Sequence, residues 1–302
     1  VKLDLEKLGA GVTVADGGWS TQLQMRGLPT DVMPEIASLT HPHLVMSLAQ
    51  DYLAAGAKFI TTNTFGANRL ALEQRGVKDN VAQINRAGAR LAREAVGDAD
   101  AFVVGSIGPS GKILAVREAS EDQLTDVFAE QALALAEGGA HAILLETFSE
   151  LAEVALAIRA AKDATALPVF ACLSFDSGPQ RTRTMMGVSA DEGAASLEEA
   201  GADVIGCNCG SGIAYVLPVV VALHANTERP LWVKPNAGLP ELEGGRAVYK
   251  QTPDEFAAHV PTLIEAGANI IGGCCGTGPE HIRRVAALVA SRTRAARRAA
   301  KK

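Results

Sequence analysis

The chain has 302 residues, 48% hydrophobic and 21% charged, with a formal charge of −6. That is enough to bury a large core as one (β/α)8 barrel or two average domains. The mild charge and 4% aromatic content argue against a nucleic-acid partner, and no apolar run is long enough to span a bilayer.

In chain order, eight apolar runs read as strands: residues 12–16, 59–63, 102–106, 142–146, 169–174, 204–209, 231–234 and 269–274. Helical periodicity lies between them, for example over 44–55, 123–137, 151–161, 191–200 and 253–266. A short phrase recurs at the helix-to-strand junctions. Ala54-Ala55-Gly56-Ala57 is echoed at Glu137-Gly138-Gly139-Ala140, Glu199-Ala200-Gly201-Ala202 and Glu265-Ala266-Gly267-Ala268. Each copy ends a helix on a glycine, which takes the left-handed conformation without a Cβ penalty, and then opens a strand. Repeated αβ units of this kind predict a parallel sheet. Runs such as Ala142-Ile143-Leu144-Leu145 are apolar throughout, as strands covered on both faces must be. The expected fold is α/β, a single (β/α)8 TIM barrel over residues 1–284. Residues 285–302 are expected to form the end of the last helix and a basic tail carrying Arg292, Arg294, Arg297, Arg298, Lys301 and Lys302.

Polar and glycine-rich chemistry follows each strand. The strand ends carry Asp16-Gly17-Gly18, Thr62-Asn63-Thr64, Gly105-Ser106-Ile107-Gly108-Pro109 and Glu146-Thr147-Phe148, then Ser174-Phe175-Asp176, Asn208-Cys209-Gly210, Lys234-Pro235-Asn236 and Cys274-Cys275-Gly276. A barrel gathers such ends around one mouth, where its active site lies. Five cysteines in a chain this long read as reduced thiols rather than a disulfide framework, and with no leader pattern the cytoplasm is expected.

Three of those thiols are candidate metal ligands: Cys209, Cys274 and Cys275. Three thiolates at one mouth would hold a zinc ion with one position open. Adjacent strand residues point to opposite faces, so Gly272, Gly273 and Gly276 are expected to bend the backbone and turn both sulfurs inward. Alternation also puts Cys207 on the face of Cys209, which leaves it as an alternative ligand; Cys172 reads as packing. Asp16 and Glu146 form a carboxylate pair suited to a substrate ammonium or to acid–base work, with an N-cap or internal ion pair as the plainer reading for Asp16. The backbone after Asp16 offers amides to a substrate carboxylate. The candidate substrate contacts are therefore Asp16, Gly18, Trp19, Ser20, Asn63, Glu146, Thr147 and Asn208, with Glu146 and the three cysteines as the catalytic set. Lys234 is either a Schiff-base nucleophile or a structural cation near the acidic mouth.

Together the motifs Asp16-Gly17-Gly18, Thr62-Asn63-Thr64-Phe65-Gly66-Ala67, Gly105-Ser106-Ile107-Gly108-Pro109, Glu146-Thr147-Phe148, Asn208-Cys209 and Gly272-Gly273-Cys274-Cys275-Gly276-Thr277 resemble the homocysteine S-methyltransferases over roughly residues 11–284. Lys234-Pro235-Asn236-Ala237-Gly238 most resembles the homocysteine-binding domain of cobalamin-dependent methionine synthase. The resemblance implies a zinc-dependent barrel. It selects Cys209 over Cys207 as the third zinc ligand and assigns the homocysteine carboxylates to Asp16 and Glu146. It further implies transfer of a methyl group to the sulfur of homocysteine, giving methionine. The donor-site aromatics of betaine-using members fall at about Val32 and Gly66, so the implied donors are S-methylmethionine, another sulfonium, or methylcobalamin brought by a partner corrinoid protein or an absent domain. A Schiff-base lyase built on Lys234 and a non-catalytic zinc or thiol protein are the rival readings.

Overall fold

In the computed structural model, described over residues 3–77, 80–244 and 246–299, the four recurring glycines do what the repeat predicts. Gly56, Gly139, Gly201 and Gly267 have φ of 105°, 97°, 97° and 102°, and each stops a helix just before a strand.

The strands are β1 (Thr13–Val14), β2 (Phe59–Thr61), β3 (Phe102–Ile107), β4 (Ala142–Phe148), β5 (Val169–Leu173), β6 (Val204–Cys209), β7 (Leu231–Pro235), β8 (Glu241–Glu243), β9 (Arg246–Val248) and β10 (Ala268–Ile271). Eight of them form one parallel sheet in the order β1-β10-β7-β6-β5-β4-β3-β2. The ends of that sheet meet. Ala15 bridges Phe59 in parallel, and the amides of Lys58 and Asp16 donate to Val14 O and Phe59 O. With helices outside, this is the expected (β/α)8 barrel.

Alternation along each strand makes two cores. Inside the barrel pack Phe59, Val104, Leu144, Phe170, Cys172, Val204, Trp232 and Ile270. Between barrel and helices pack Ile60, Val103, Ile143, Leu145, Ala171, Ile205, Cys207 and Val233. Both faces of each strand are dry, which is why the strands carry unbroken apolar runs.

Three expectations about elements change. The first strand shrinks to two residues because only Thr13 and Val14 pair in the regular ladder with β10. The helix expected over 253–266 is two helices, Pro253–Ala257 and Val260–Glu265. Pro261 lacks the amide that would continue the first into the second. The β8–β9 hairpin was not expected; its first strand is wholly exposed, so it carries no buried face to leave a pattern. The last helix runs Pro279–Ala299; Lys301 and Lys302 of the basic tail lie outside the described residues. No helix among the described residues is long and apolar enough to cross a membrane.

Candidate active site at the barrel mouth

The sulfurs of Cys209, Cys274 and Cys275 lie within 4.8 Å of one another. Backbone placement at the ends of β6 and β10, the two strands that flank β7, brings them together. Cys274 N donates to Pro235 O at 2.8 Å, and Cys275 N donates to Asn236 Oδ1 at 3.0 Å. Asn236 Nδ2 in turn donates to Gly210 O at 2.9 Å and reaches Cys209 Sγ at 3.5 Å. One side chain at the end of β7 thus spans the two ligand loops on either side of it. The sequence signal for Asn236 is its position directly after a strand end.

Cys207 and Cys209 do not share a face. Cys209 has φ of 59°, a left-handed value uncommon for a residue with a Cβ. That turn breaks the alternation and points Cys209 into the mouth, while Cys207 stays buried in the layer under the helices. Burial pushes the Cys207 thiol up to about 12, so it remains a protonated packing group. Cys172 lies in the inner core, with its thiol also raised by burial.

Of the three glycines expected to bend the backbone, only Gly276 has positive φ, at 80°. Gly272 and Gly273 are needed for close approach instead. A Cβ on Gly273 would sit 2.4 Å from the Thr277 side chain, and one on Gly272 would sit 2.5 Å from Asp16 O. A Cβ on Gly276 would also strike Tyr249 at 2.3 Å. Gly276→Ala is therefore expected to cost about 2 kcal/mol or more in a urea unfolding curve, from backbone strain plus overlap. An unchanged midpoint would contradict the tight turn.

The carboxylates occupy different settings. Asp16 is fully buried. Its Oδ1 meets Lys234 Nζ at 2.5 Å, and its Oδ2 accepts from Thr61 N at 2.7 Å, Thr61 Oγ1 at 2.8 Å and Trp19 Nε1 at 3.0 Å. Glu146 accepts from Ser106 Oγ on Oε1, and Asn208 Nδ2 lies 3.4 Å from its Oε2. Burial raises the Glu146 carboxyl above its ordinary range, against the lowering pull of Lys234 and Ser106. Asn208 also braces Thr147, accepting from its N–H at 2.7 Å and donating to its Oγ1 at 2.7 Å. Thr147 has φ of 67°, an outlier for a β-branched residue. Strained residues thus end both β4 and β6, where the chain leaves the ladder to present side chains to the mouth.

Other predicted contacts are tied into the frame. The Gly18 amide donates to Thr277 O and Oγ1, at 3.1 and 3.0 Å, so it is already engaged. Trp19 shares its indole N–H between Asp16 and Thr61, with its ring edge-on to Tyr52. Ser20 is exposed and opens the helix Ser20–Met25. Asn63 is buried and its Nδ2 donates to Pro34 O. Sequence reading did not single out Thr61, Ser106 or Thr277, which position the others; small hydroxyl residues at strand ends carry no signal of their own. Beside Gly276, a groove of about 1230 Å³ is lined by Thr21, Gln22, Met25, Tyr249 and His281 among others.

Three unpaired thiols converging at this range match the donor set of a zinc site with an open position, and soft thiolates select for it. A family model described as homocysteine S-methyltransferase matches residues 13–289. The chain is 35% identical to the methionine synthase of Mycobacterium tuberculosis and 34% identical to that of Mycobacterium leprae. Each alignment covers 95% of this chain and 25% of the relative, so the chain spans about a quarter of the length of the curated relatives it matches. Among solved structures, the metallated homocysteine methyltransferase MmuM of Escherichia coli superposes with a TM-score of 0.77 at 23% identity, over 92% of this chain and 96% of that one. That likeness shows the fold.

Proposed function

The chain belongs to the homocysteine S-methyltransferase family, and we propose that its mouth holds zinc and homocysteine for methyl transfer that yields methionine. The observation that carries this reading is the convergence of Cys209, Cys274 and Cys275 beside the half-free carboxylate of Glu146. Those three cysteines would hold the zinc ion, which when bound supplies a positive charge that lowers the pKa of a coordinated thiol.

This chain's own residues do the rest. Glu146 offers Oε2 to the substrate ammonium, with Asp16 behind it as the second carboxylate. The amides of Trp19 and Ser20, at the start of a helix, face the substrate carboxylate. Gripped at both ends, the amino acid has its thiol aimed at the cysteines. Ser106 and Asn208 hold Glu146 through their hydrogen bonds, and Thr147 in turn braces Asn208. In the reaction a sulfur–carbon bond forms, the donor loses its methyl group, and the thiol proton is released.

For the donor we favour methylcobalamin presented by a partner corrinoid protein or by a further region of a longer protein. Supporting this is the length of the methionine synthase relatives, of which this chain spans about a quarter. The Schiff-base reading of Lys234 finds no support. Burial alone would lower its pKa, but Asp16 and Glu146 outweigh that and raise it, so the amine stays charged and non-nucleophilic. The test is methionine formation by zinc-loaded protein with homocysteine and each donor in turn. Turnover with methylcobalamin, free or protein-bound, is expected. Methionine from S-methylmethionine alone would overturn the donor assignment, and none from any donor would favour the non-catalytic zinc protein.

A further inference from the structure

The two amides proposed to face the substrate carboxylate, those of Trp19 and Ser20, have no acceptor among the described residues. Gly18, just before them, is held at both ends. Its amide donates to Thr277 Oγ1 at 3.0 Å and to Thr277 O at 3.1 Å. Its carbonyl accepts from Tyr52 Oη at 2.6 Å. Thr277 Oγ1 donates its own proton to Cys274 O at 2.7 Å, which ties this turn to the loop that carries two of the cysteines. The Tyr52 and Thr277 side chains are fully buried. The fit leaves no slack: a Cβ on Gly17 would lie 2.7 Å from Tyr52 Oη, and one on Gly18 would lie 2.6 Å from Cys274 O.

The Gly18 carbonyl and the Trp19 N–H belong to one planar trans peptide, so they point in opposite directions. Tyr52 lies in the layer between barrel and helices. Its hydroxyl draws the carbonyl outward and thereby turns the Trp19 N–H inward, over the mouth. We infer that Tyr52 and Thr277 are positioning residues that lock the Gly18–Trp19 peptide with its N–H toward the substrate carboxylate. This rests on the reading of the Trp19 and Ser20 amides as carboxylate ligands. Neither hydroxyl is left to touch the substrate, because both are spent on the backbone. Without the Tyr52 hydroxyl a buried carbonyl loses its donor. The peptide can then rotate to bring that oxygen to water at the mouth, where its partial negative charge opposes a carboxylate.

The experiment measures dissociation constants of homocysteine and of its decarboxylated analogue, 3-aminopropane-1-thiol, by calorimetry on zinc-loaded protein, with zinc content followed alongside. Tyr52→Phe keeps the ring and removes the hydroxyl. It should weaken homocysteine about 10-fold and change the analogue, which has no carboxylate, by no more than about 3-fold. Thr277→Val should show the same selective loss. Thr277→Ser, which keeps the hydroxyl, should bind homocysteine to within about 3-fold of the original. Zinc should stay stoichiometric in all three. Equal losses for both ligands, unaltered homocysteine binding in Tyr52→Phe, or loss of zinc would overturn the inference. Thr277→Val protein that does not fold leaves the Tyr52→Phe comparison intact. If the unsubstituted protein binds homocysteine no more tightly than the analogue, the reading of the amides fails instead.

Discussion

Replacing Cys274 with alanine is expected to abolish stoichiometric zinc and to cut methionine formation by about 10³-fold or more. An unassisted thiol has a pKa of about 8.5, so at pH 7 only a few per cent is thiolate. Two thiols, on Cys209 and Cys275, would remain, too few for a site that needs three protein ligands. The substrate sulfur would then lose both its activation and its fixed position. Metal content after dialysis and single-turnover methionine formation are the measurements. The same loss is expected at Cys209 and Cys275. Cys207→Ala is the control. Its side chain lies under the helices, so it should cost about 1 kcal/mol of stability as a small cavity and leave zinc intact. Cys274→Ala protein that keeps one zinc and full turnover would falsify the ligand assignment.

Glu146→Gln is expected to separate stability from binding. Homocysteine should bind on the order of 100-fold more weakly, because a charge-assisted contact to its ammonium is lost. The folded protein should nevertheless melt at a higher temperature at neutral pH. Burial raises the Glu146 carboxyl, so its ionised form is disfavoured in the fold. The sign follows. A carboxyl with a folded pKa above its unfolded one binds more protons when folded, and its stability contribution falls as pH rises between the two values. The glutamine variant gains most above the folded pKa. Its advantage should vanish once pH falls below the ordinary glutamate range of about 4.3, where both states are protonated. Melting curves from pH 4 to 8 test this. A variant less stable than the parent at pH 7 would mean that hydrogen bonds to Glu146 outweigh its desolvation.

The sequence by itself determined the barrel, because its physics is local. The phrase ending in Gly56, Gly139, Gly201 or Gly267 marks each helix stop, and the unbroken apolar runs mark strands buried on two sides. From that count followed a single mouth, and from the mouth followed the company of Asp16, Glu146, Cys209, Cys274 and Cys275. The limits were also local. Pro261 marks the helix break in the sequence itself, whereas the exposed β8–β9 hairpin leaves no pattern to read. Only the tertiary structure decided how the mouth is wired. Strand alternation would have put Cys207 and Cys209 on one face, and it took a left-handed φ at Cys209, fixed by the loops around it, to separate them. Nothing along the chain says that Lys234 reaches Asp16, 218 positions away, or that Asn236 braces both ligand loops. Composition and periodicity report which face a residue buries. Which donor meets which acceptor depends on distances of a few tenths of an ångström between separate strands, and those exist only once the barrel has closed.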